Sequence, residues 1–247
     1  MCYNGKNKQE EIVMTIAGLQ KMTLLDFPGK VACTVFLHGC NYRCPFCHNA
    51  ELLEGHPEPL MTVEEFLAFL KKRVGLLDGV CISGGEPTLS AGLAELMGQI
   101  KAMGYAVKLD TNGSRPKVLK DLVAKGLVDY VAMDIKNSPS RYAGTCGVSK
   151  IDLSAVEESA AFLMSGAVES EFRTTVVAPL HDEGSVAEMG RWLYGLNGNK
   201  PVKKLFLQPF VDRDTVVFSG LAAPENTQMA VFCELLKPFV LDVSVRG

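Results

Sequence analysis

Six short apolar runs, Val31–His38, Gly79–Ser83, Ala106–Asp110, Tyr130–Ile135, Phe172–Val177 and Lys204–Phe210, alternate with segments of helical period, and this alternation constrains the fold most. Each run has the near-continuous hydrophobicity of a parallel strand covered on both faces. Between them, Val63, Phe66, Leu67, Leu70 and Val74, and again Leu93, Leu96, Met97, Ile100 and Met103, trace the stripe of an amphipathic helix. Capping boxes are expected at Thr62/Glu65, Ser154/Glu157 and Ser185/Glu188, where a hydroxyl and a carboxylate satisfy free N–H groups of the first turn. Gly104, Gly126 and Gly166 sit where left-handed helix ends are expected. The pattern is βα repeated six times, which predicts an α/β protein with a parallel sheet and helices outside it. Six units are too few for a closed eight-stranded barrel, so the expectation is a partial, laterally open (β/α)6 TIM-like barrel. Ile16–Pro28 reads as a small hairpin or arm, and a helix near Glu225–Leu236 and a strand Val240–Val245 finish the chain. Residues 1–15 read as a polar N-terminal extension and 16–247 as a single domain.

Charge and composition narrow the partners. Lys and Arg total 25 against 28 Asp and Glu, and the net charge of −3 gives no general attraction to nucleic acid or anionic lipid. Residues 1–14 lack the apolar stretch of a secretory signal, and no run approaches the roughly 18 apolar residues of a membrane span. The expectation is a cytoplasmic protein acting on neither membrane nor nucleic acid.

Eight cysteines in such a chain point to reduced thiols or metal ligands rather than disulfides. Cys2, Cys33, Cys81, Cys146 and Cys233 are scattered and read as structural filler, whereas Cys40, Cys44 and Cys47 crowd into a C-x₃-C-x₂-C loop directly after the first of the six runs. Ligands of parallel α/β folds bind at the carboxyl ends of strands, where this loop lies. A cubane cluster normally takes four thiolates, so three leave one iron open to another ligand. Structural zinc would need a fourth ligand that adjacent His48 is poorly placed to give, and the C-x-x-C-H pattern of haem attachment requires an exported chain. A thioredoxin-like dithiol would leave Cys40 unexplained.

Other polar residues fall in the same phase. Ser83-Gly84-Gly85-Glu86-Pro87 closes the second run, Asp110-Thr111-Asn112-Gly113 the third and Asp134-Ile135-Lys136 the fourth; Arg173 starts the fifth and Gln208 lies near the end of the sixth. Charge beside a dry core is costly unless a ligand or partner compensates it.

These stretches resemble the radical S-adenosylmethionine (SAM) proteins, and within them the anaerobic ribonucleoside-triphosphate reductase activating proteins, relatives of pyruvate formate-lyase activating enzyme. The matching segments are LQKMTLLDFPGKVACTVFLHGCNYRCPFC at Leu19–Cys47, SGGEPTL at Ser83–Leu89, VKLDTNG at Val107–Gly113, VDYVAMDIK at Val128–Lys136 and EFRTTVV at Glu171–Val177. The resemblance implies a barrel of the radical SAM type in which Cys40, Cys44 and Cys47 ligate a [4Fe–4S] cluster. It places Phe46 and His48 near the adenine, Gly84, Gly85 and Glu86 at the methionine amino group, Lys136 at its carboxylate and Arg173 as a further contact. Asp110, Thr111 and Asp134 match positions that surround a monovalent cation in the formate-lyase relative. Gln208 stands near a histidine of that relative and is a candidate adenine contact. The implied activity is reductive cleavage of SAM to a 5′-deoxyadenosyl radical that takes a hydrogen from a glycine of a partner glycyl-radical enzyme, with reduced flavodoxin or ferredoxin as electron donor. A radical enzyme acting on a nucleoside or heterocycle is the competing reading, and an iron–sulfur electron carrier the non-enzymatic one.

Overall fold

The computed structural model describes residues 14–53, 58–216 and 218–246; the expected N-terminal extension therefore lies almost wholly outside the described residues. Eight strands, β1 (Ile16–Thr23), β2 (Ala32–Leu37), β3 (Gly79–Gly84), β4 (Ala106–Thr111), β5 (Tyr130–Asp134), β6 (Glu169–Val176), β7 (Val202–Pro209) and β8 (Val240–Val245), form one sheet in chain order. All neighbours pair in parallel except β1, which runs antiparallel to β2. β1 and β8 are the two edges, so the barrel stays open on one side. The segment expected as a small hairpin or arm thus forms an antiparallel hairpin with β2 and is an edge strand of the sheet itself.

Among the described residues seven α-helices accompany the strands: α1 (Val63–Lys71), α2 (Leu93–Ala102), α3 (Pro116–Ala124), α4 (Tyr142–Thr145), α5 (Leu153–Met164), α6 (Glu183–Leu196) and α7 (Asn226–Leu236). The Thr62/Glu65 box caps α1 as expected. At α6 the box sits one turn earlier, between Asp182 and Ser185, because the chain is already helical at Glu183; Glu188 instead accepts from Ser140. No box forms at α5, where Asp152 is the cap position and Ser154 donates to its carboxylate.

Strand alternation sorts the side chains into two layers. Cys33, Val35 and Leu37, Val80 and Ile82, Val107 and Leu109, and Val131 and Met133 face outward into the main core with the helix stripes. The residues between them face inward and are largely polar: Thr34, Cys81, Ser83, Lys108, Asp110, Asp134, Glu171 and Arg173. Apolar strands thus carry a charged inner face that a reading of continuous hydrophobicity overlooks.

Both ends of this interior are managed by single side chains. At the N-terminal end Phe27 is 2% exposed and packs on Ala32 and Tyr130; a Cβ on Gly79 would stand 2.9 Å from its ring, so the strand carries glycine there. On the open side Arg246 reaches back from β8, with its guanidinium 3.6 Å from the Phe206 ring centre and 2.8 and 3.2 Å from the carboxylate of Glu171. Tyr130 donates to that carboxylate as well, at 2.8 Å. Among the described residues no helix is long and apolar enough to cross a membrane.

Candidate functional site

At the carboxyl ends of the strands lies an open cavity of about 190 Å³, walled on one side by the cysteine loop and floored by inward-facing residues of β3 to β6. The loop is fixed from several directions. The Cys47 amide donates to the Cys44 carbonyl at 3.1 Å and the Arg43 amide to the Cys146 carbonyl at 2.8 Å. The Arg43 guanidinium donates to the carbonyls of Cys40 and Tyr42 at 2.7 and 2.9 Å. The amide of Glu86 donates to the Gly39 carbonyl at 2.8 Å. Gly85 is required by this approach: a Cβ there would fall 2.1 Å from the Gly39 carbonyl oxygen.

Cys40, Cys44 and Cys47 all line the cavity, half-buried and unpaired. Burial pushes the Cys40 thiol up to about 12 and raises that of Cys47. Cys44 differs: a hydrogen bond with the buried Cys146 thiol overcomes burial and, with Lys136, holds it down to about 7. Cys146 sits in the main core, as a structural thiol would. It packs behind the cysteine loop, fully buried, and Gly147 next to it lies so close to the Arg43 carbonyl that a Cβ would stand 1.9 Å away.

A charged floor joins the strands. Arg173 spans two carboxylates: Nη1 lies 3.3 Å from Asp110 Oδ2, and Nε and Nη2 lie 3.1 and 3.0 Å from Asp134 Oδ1. Lys136 donates to Asp134 Oδ2 at 2.9 Å. Ser83 donates to Asp110 Oδ2 at 3.0 Å, and Lys108 donates to Asp110 Oδ1 from below. Burial works to raise the pKa of Asp134, but Lys136 and Arg173 outweigh it and hold the group down to about 2. Asp110 is lowered in the same balance, by Arg173 and Lys108. In return Asp134 and Asp110 keep Lys136 and Arg173 charged against the cost of burial.

Most of the residues expected here do meet at one cavity: Cys40, Cys44, Phe46, Cys47, His48, Gly84, Gly85, Asp110, Thr111, Asp134, Lys136 and Arg173 all line it. The Phe46 ring turns largely away, 5% exposed, into a satellite cluster with Val177 and Phe210. His48 stacks on Phe210 at 5.7 Å, and its Nε2 lies 2.6 Å from the Val211 carbonyl, tying the cysteine loop to the segment after β7.

Two expected residues are not among those that line it. Glu86 is 0% exposed, and its carboxylate is used up inside the fold. It accepts from Asn112 N at 2.6 Å, Thr111 Oγ1 at 2.8 Å, Thr88 N at 3.1 Å and the Thr88 hydroxyl. Burial raises its pKa, and these four bonds offset only part of that. It clamps the end of β4 to the turn after β3 instead of facing the cavity. Gln208 pairs in register with Thr175 on β6 and shares its inward face; of the two, Thr175 lines the cavity. Ser83 and Asn112, from the polar strand ends, also line the wall, as do Thr175 and Asn49, which sequence reading missed. Asn112 Nδ2 lies 3.9 Å from Cys40 Sγ and donates to Asn41 Oδ1 at 2.9 Å. Thr175 was findable: it stands two residues after Arg173 and so shares its face of the strand.

The donor set suits a cluster better than one ion. Among the described residues no three His, Cys, Asp or Glu side chains converge closely enough to hold a single metal ion. Three thiols spread along the wall of a roomy cavity match a cluster in which each thiolate takes its own iron.

Comparison with known proteins agrees with this geometry. The model of the radical SAM superfamily matches residues 34–189, more than half of the chain. A Methanocaldococcus jannaschii protein provisionally named a glycyl-radical enzyme activating enzyme is 29% identical over 240 residues, which cover 94% of this chain and 95% of that protein. A Thermococcus kodakarensis protein named a probable GTP 3′,8-cyclase is 33% identical over 132 residues, covering 50% of this chain and 41% of its own length. Among solved structures, Streptococcus suis SuiB bound to S-adenosylmethionine superposes with a TM-score of 0.65 at 10% identity, over 85% of this chain and 48% of SuiB; this likeness concerns the fold. The family implies a [4Fe–4S] cluster and SAM as cofactors. With its thiolate loop at the strand ends of an open barrel and a match across the middle of the chain, this protein belongs to the radical SAM superfamily.

Proposed function

We propose that the chain is a glycyl-radical enzyme activase, acting on a partner polypeptide and most specifically on an anaerobic ribonucleotide reductase, with reduced flavodoxin or ferredoxin as electron source. The observation that carries the class is the likeness to the M. jannaschii protein, which runs end to end in both chains, whereas the likeness to the cyclase stops at half. The reading treats residues 16–247 as one cytoplasmic radical SAM domain.

In this reading Cys40, Cys44 and Cys47 hold the cluster, which supplies, when bound, the electron that cleaves SAM between sulfur and C5′. Lys136, fixed by Asp134, presents its ammonium to the cofactor carboxylate. With the Glu86 side chain buried, binding of the amino group falls to backbone at Ser83–Gly85, where Gly84 and Gly85 let a ligand approach the main chain. His48 and the Phe46 backbone form the wall assigned to adenine. Arg173 joins Asp110 to Asp134 and so keeps the floor rigid and the charges in place. A partner polypeptide seated over the open cavity would exclude water and stray hydrogen donors from the reacting carbon.

The test is anaerobic reconstitution, reduction and incubation with SAM and a co-expressed glycyl-radical reductase. A glycine-centred doublet in electron paramagnetic resonance, absent with the Cys44→Ala variant, is the expected result. Turnover of a nucleotide with no such doublet on any partner would favour the small-molecule reading, which the partial likeness to the cyclase supports. A reduced cluster that never yields 5′-deoxyadenosine would favour the electron carrier.

A further inference from the structure

The inner face of β4 carries a lysine that the activity described above does not use. Lys108 is 1% exposed, lies in register between Cys81 of β3 and Tyr130 of β5, and stands one inward position below Asp110. It does not line the cavity, whereas Asp110 does. An ammonium so deep in a sheet interior is costly unless a partner compensates it. Here the partner is Asp110 Oδ1, with Cys81 Sγ 3.8 Å from the same nitrogen.

Every oxygen of the two floor carboxylates is thereby engaged. Asp110 Oδ1 takes Lys108, and Asp110 Oδ2 takes Ser83 and Arg173. Asp134 Oδ1 takes Arg173, and Asp134 Oδ2 takes Lys136. Thr111, the third residue expected around a cation, spends its hydroxyl on Glu86 at 2.8 Å and on the Gly113 amide at 3.1 Å. A hard alkali-metal ion needs several free oxygen ligands. In this chain each carboxylate oxygen among these groups already accepts from a side-chain donor, and the ion would enter a neighbourhood where three side-chain cations face two carboxylates. The residues therefore do not fit a bound monovalent cation.

We propose that Lys108 is a built-in cation: its ammonium holds Asp110, and through Arg173 the whole cofactor floor, so that SAM binds without an alkali-metal ion. The inference rests on the cavity being the SAM site. Lys108 acts through Asp110 and Arg173 and is a positioning residue.

The test uses the anaerobically reconstituted protein and reads the dissociation constant for SAM by calorimetry and by the cofactor-induced change in the spectrum of the reduced cluster. Binding is measured in choline chloride and in sodium or potassium chloride at matched ionic strength. Wild type should differ by less than about twofold between these salts, and Lys108→Arg, which keeps the charge, should do the same. Lys108→Met should bind about tenfold more weakly in choline and recover, saturably, with sodium or potassium. Wild-type affinity that rises fivefold or more with an alkali ion overturns the proposal, and this arm holds even if the methionine variant fails to fold. So does a Lys108→Met variant that binds as wild type does in choline. A loss in Lys108→Met that no alkali ion relieves and that Lys108→Arg shares makes the role steric and overturns it too. Absence of SAM binding by wild type in every salt would instead sink the assignment of the cavity, and this inference with it.

Discussion

Glu86 separates the sequence-based expectation from the structure most sharply. As a cofactor ligand it would be dispensable for folding; as the buried clamp seen here, it should be indispensable. Glu86→Ala would leave the N–H groups of Thr88 and Asn112 without their acceptor in a region closed to water, together with two hydroxyls that can rotate. At about 1–3 kcal/mol for each stranded buried donor, the two N–H groups alone cost roughly 2–6 kcal/mol. That is a large part of the roughly 5–15 kcal/mol that holds a typical domain together. With a urea slope of about 3 kcal/mol per molar, the unfolding midpoint should fall by roughly 0.7–2 M. Glu86→Gln keeps one acceptor oxygen but turns an amide N–H₂ toward one of the donors, so about half of that loss is expected. The assay is urea denaturation of the cluster-free protein under reducing, anaerobic conditions, with SAM affinity of the reconstituted protein measured alongside. Midpoints within about 0.2 M of wild type for both variants, accompanied by a tenfold loss of SAM affinity, would refute the clamp and return the carboxylate to the cofactor.

Further outcomes follow from other parts of the fold. Cys146→Ala removes the thiol that holds the Cys44 pKa down; because a donor to a cluster sulfur stabilises the more negative reduced cluster, the midpoint potential should fall by on the order of 20–60 mV in a spectroscopic redox titration, and an unchanged potential would leave Cys146 as structural filler. Arg246→Ala leaves Glu171, 1% exposed, with Tyr130 alone. Since the Arg246 side chain is itself 38% exposed, the loss is about 1–2 kcal/mol, or a melting temperature lower by roughly 2–8 °C. An Arg246→Ala melt that coincides with wild type would show that the Arg246–Glu171 pair contributes nothing. Asp134, held down to about 2, is lower in the folded chain than the ordinary unfolded value near 3.9. Its contribution to stability is therefore complete above about pH 4 and is lost as the pH falls from there toward 2. Asp134→Asn should flatten the acid limb of the stability curve in that window, measured by denaturation at stepped pH, and an unchanged limb would show that Lys136 and Arg173 do not stabilise the charge.

Much of this protein was legible along the chain because the relevant physics is local. Strand and helix periods repeat within a few residues, so the six central strands and the helices between them were readable, as were the left-handed turns at Gly104, Gly126 and Gly166. The cysteine loop was readable for the same reason: its three thiols lie within eight residues and follow a strand. Local signals failed where several caps compete, and at α6 Asp182 won over the Ser185 start because its carboxylate reaches the Ser185 amide at 2.8 Å while the Ser185 hydroxyl returns to its own. For β1 the sequence left hairpin and arm open, since pairing with β2 is a property of two segments and not of one.

What the sequence determined by itself was the βα order, the thiolate loop and the strand-end position of the polar residues, all set by steric preference and by side-chain spacing along one backbone. Only the tertiary structure decided what each polar group would touch. Register between neighbouring strands put Lys108 beneath Asp110, carried Arg173 across to both carboxylates and turned Thr175 into the cavity. The docking of distant loops brought Cys146 behind Cys44 and closed Glu86 away from the ligand. These choices depend on distances between segments dozens of residues apart, and such distances exist only once the core has packed.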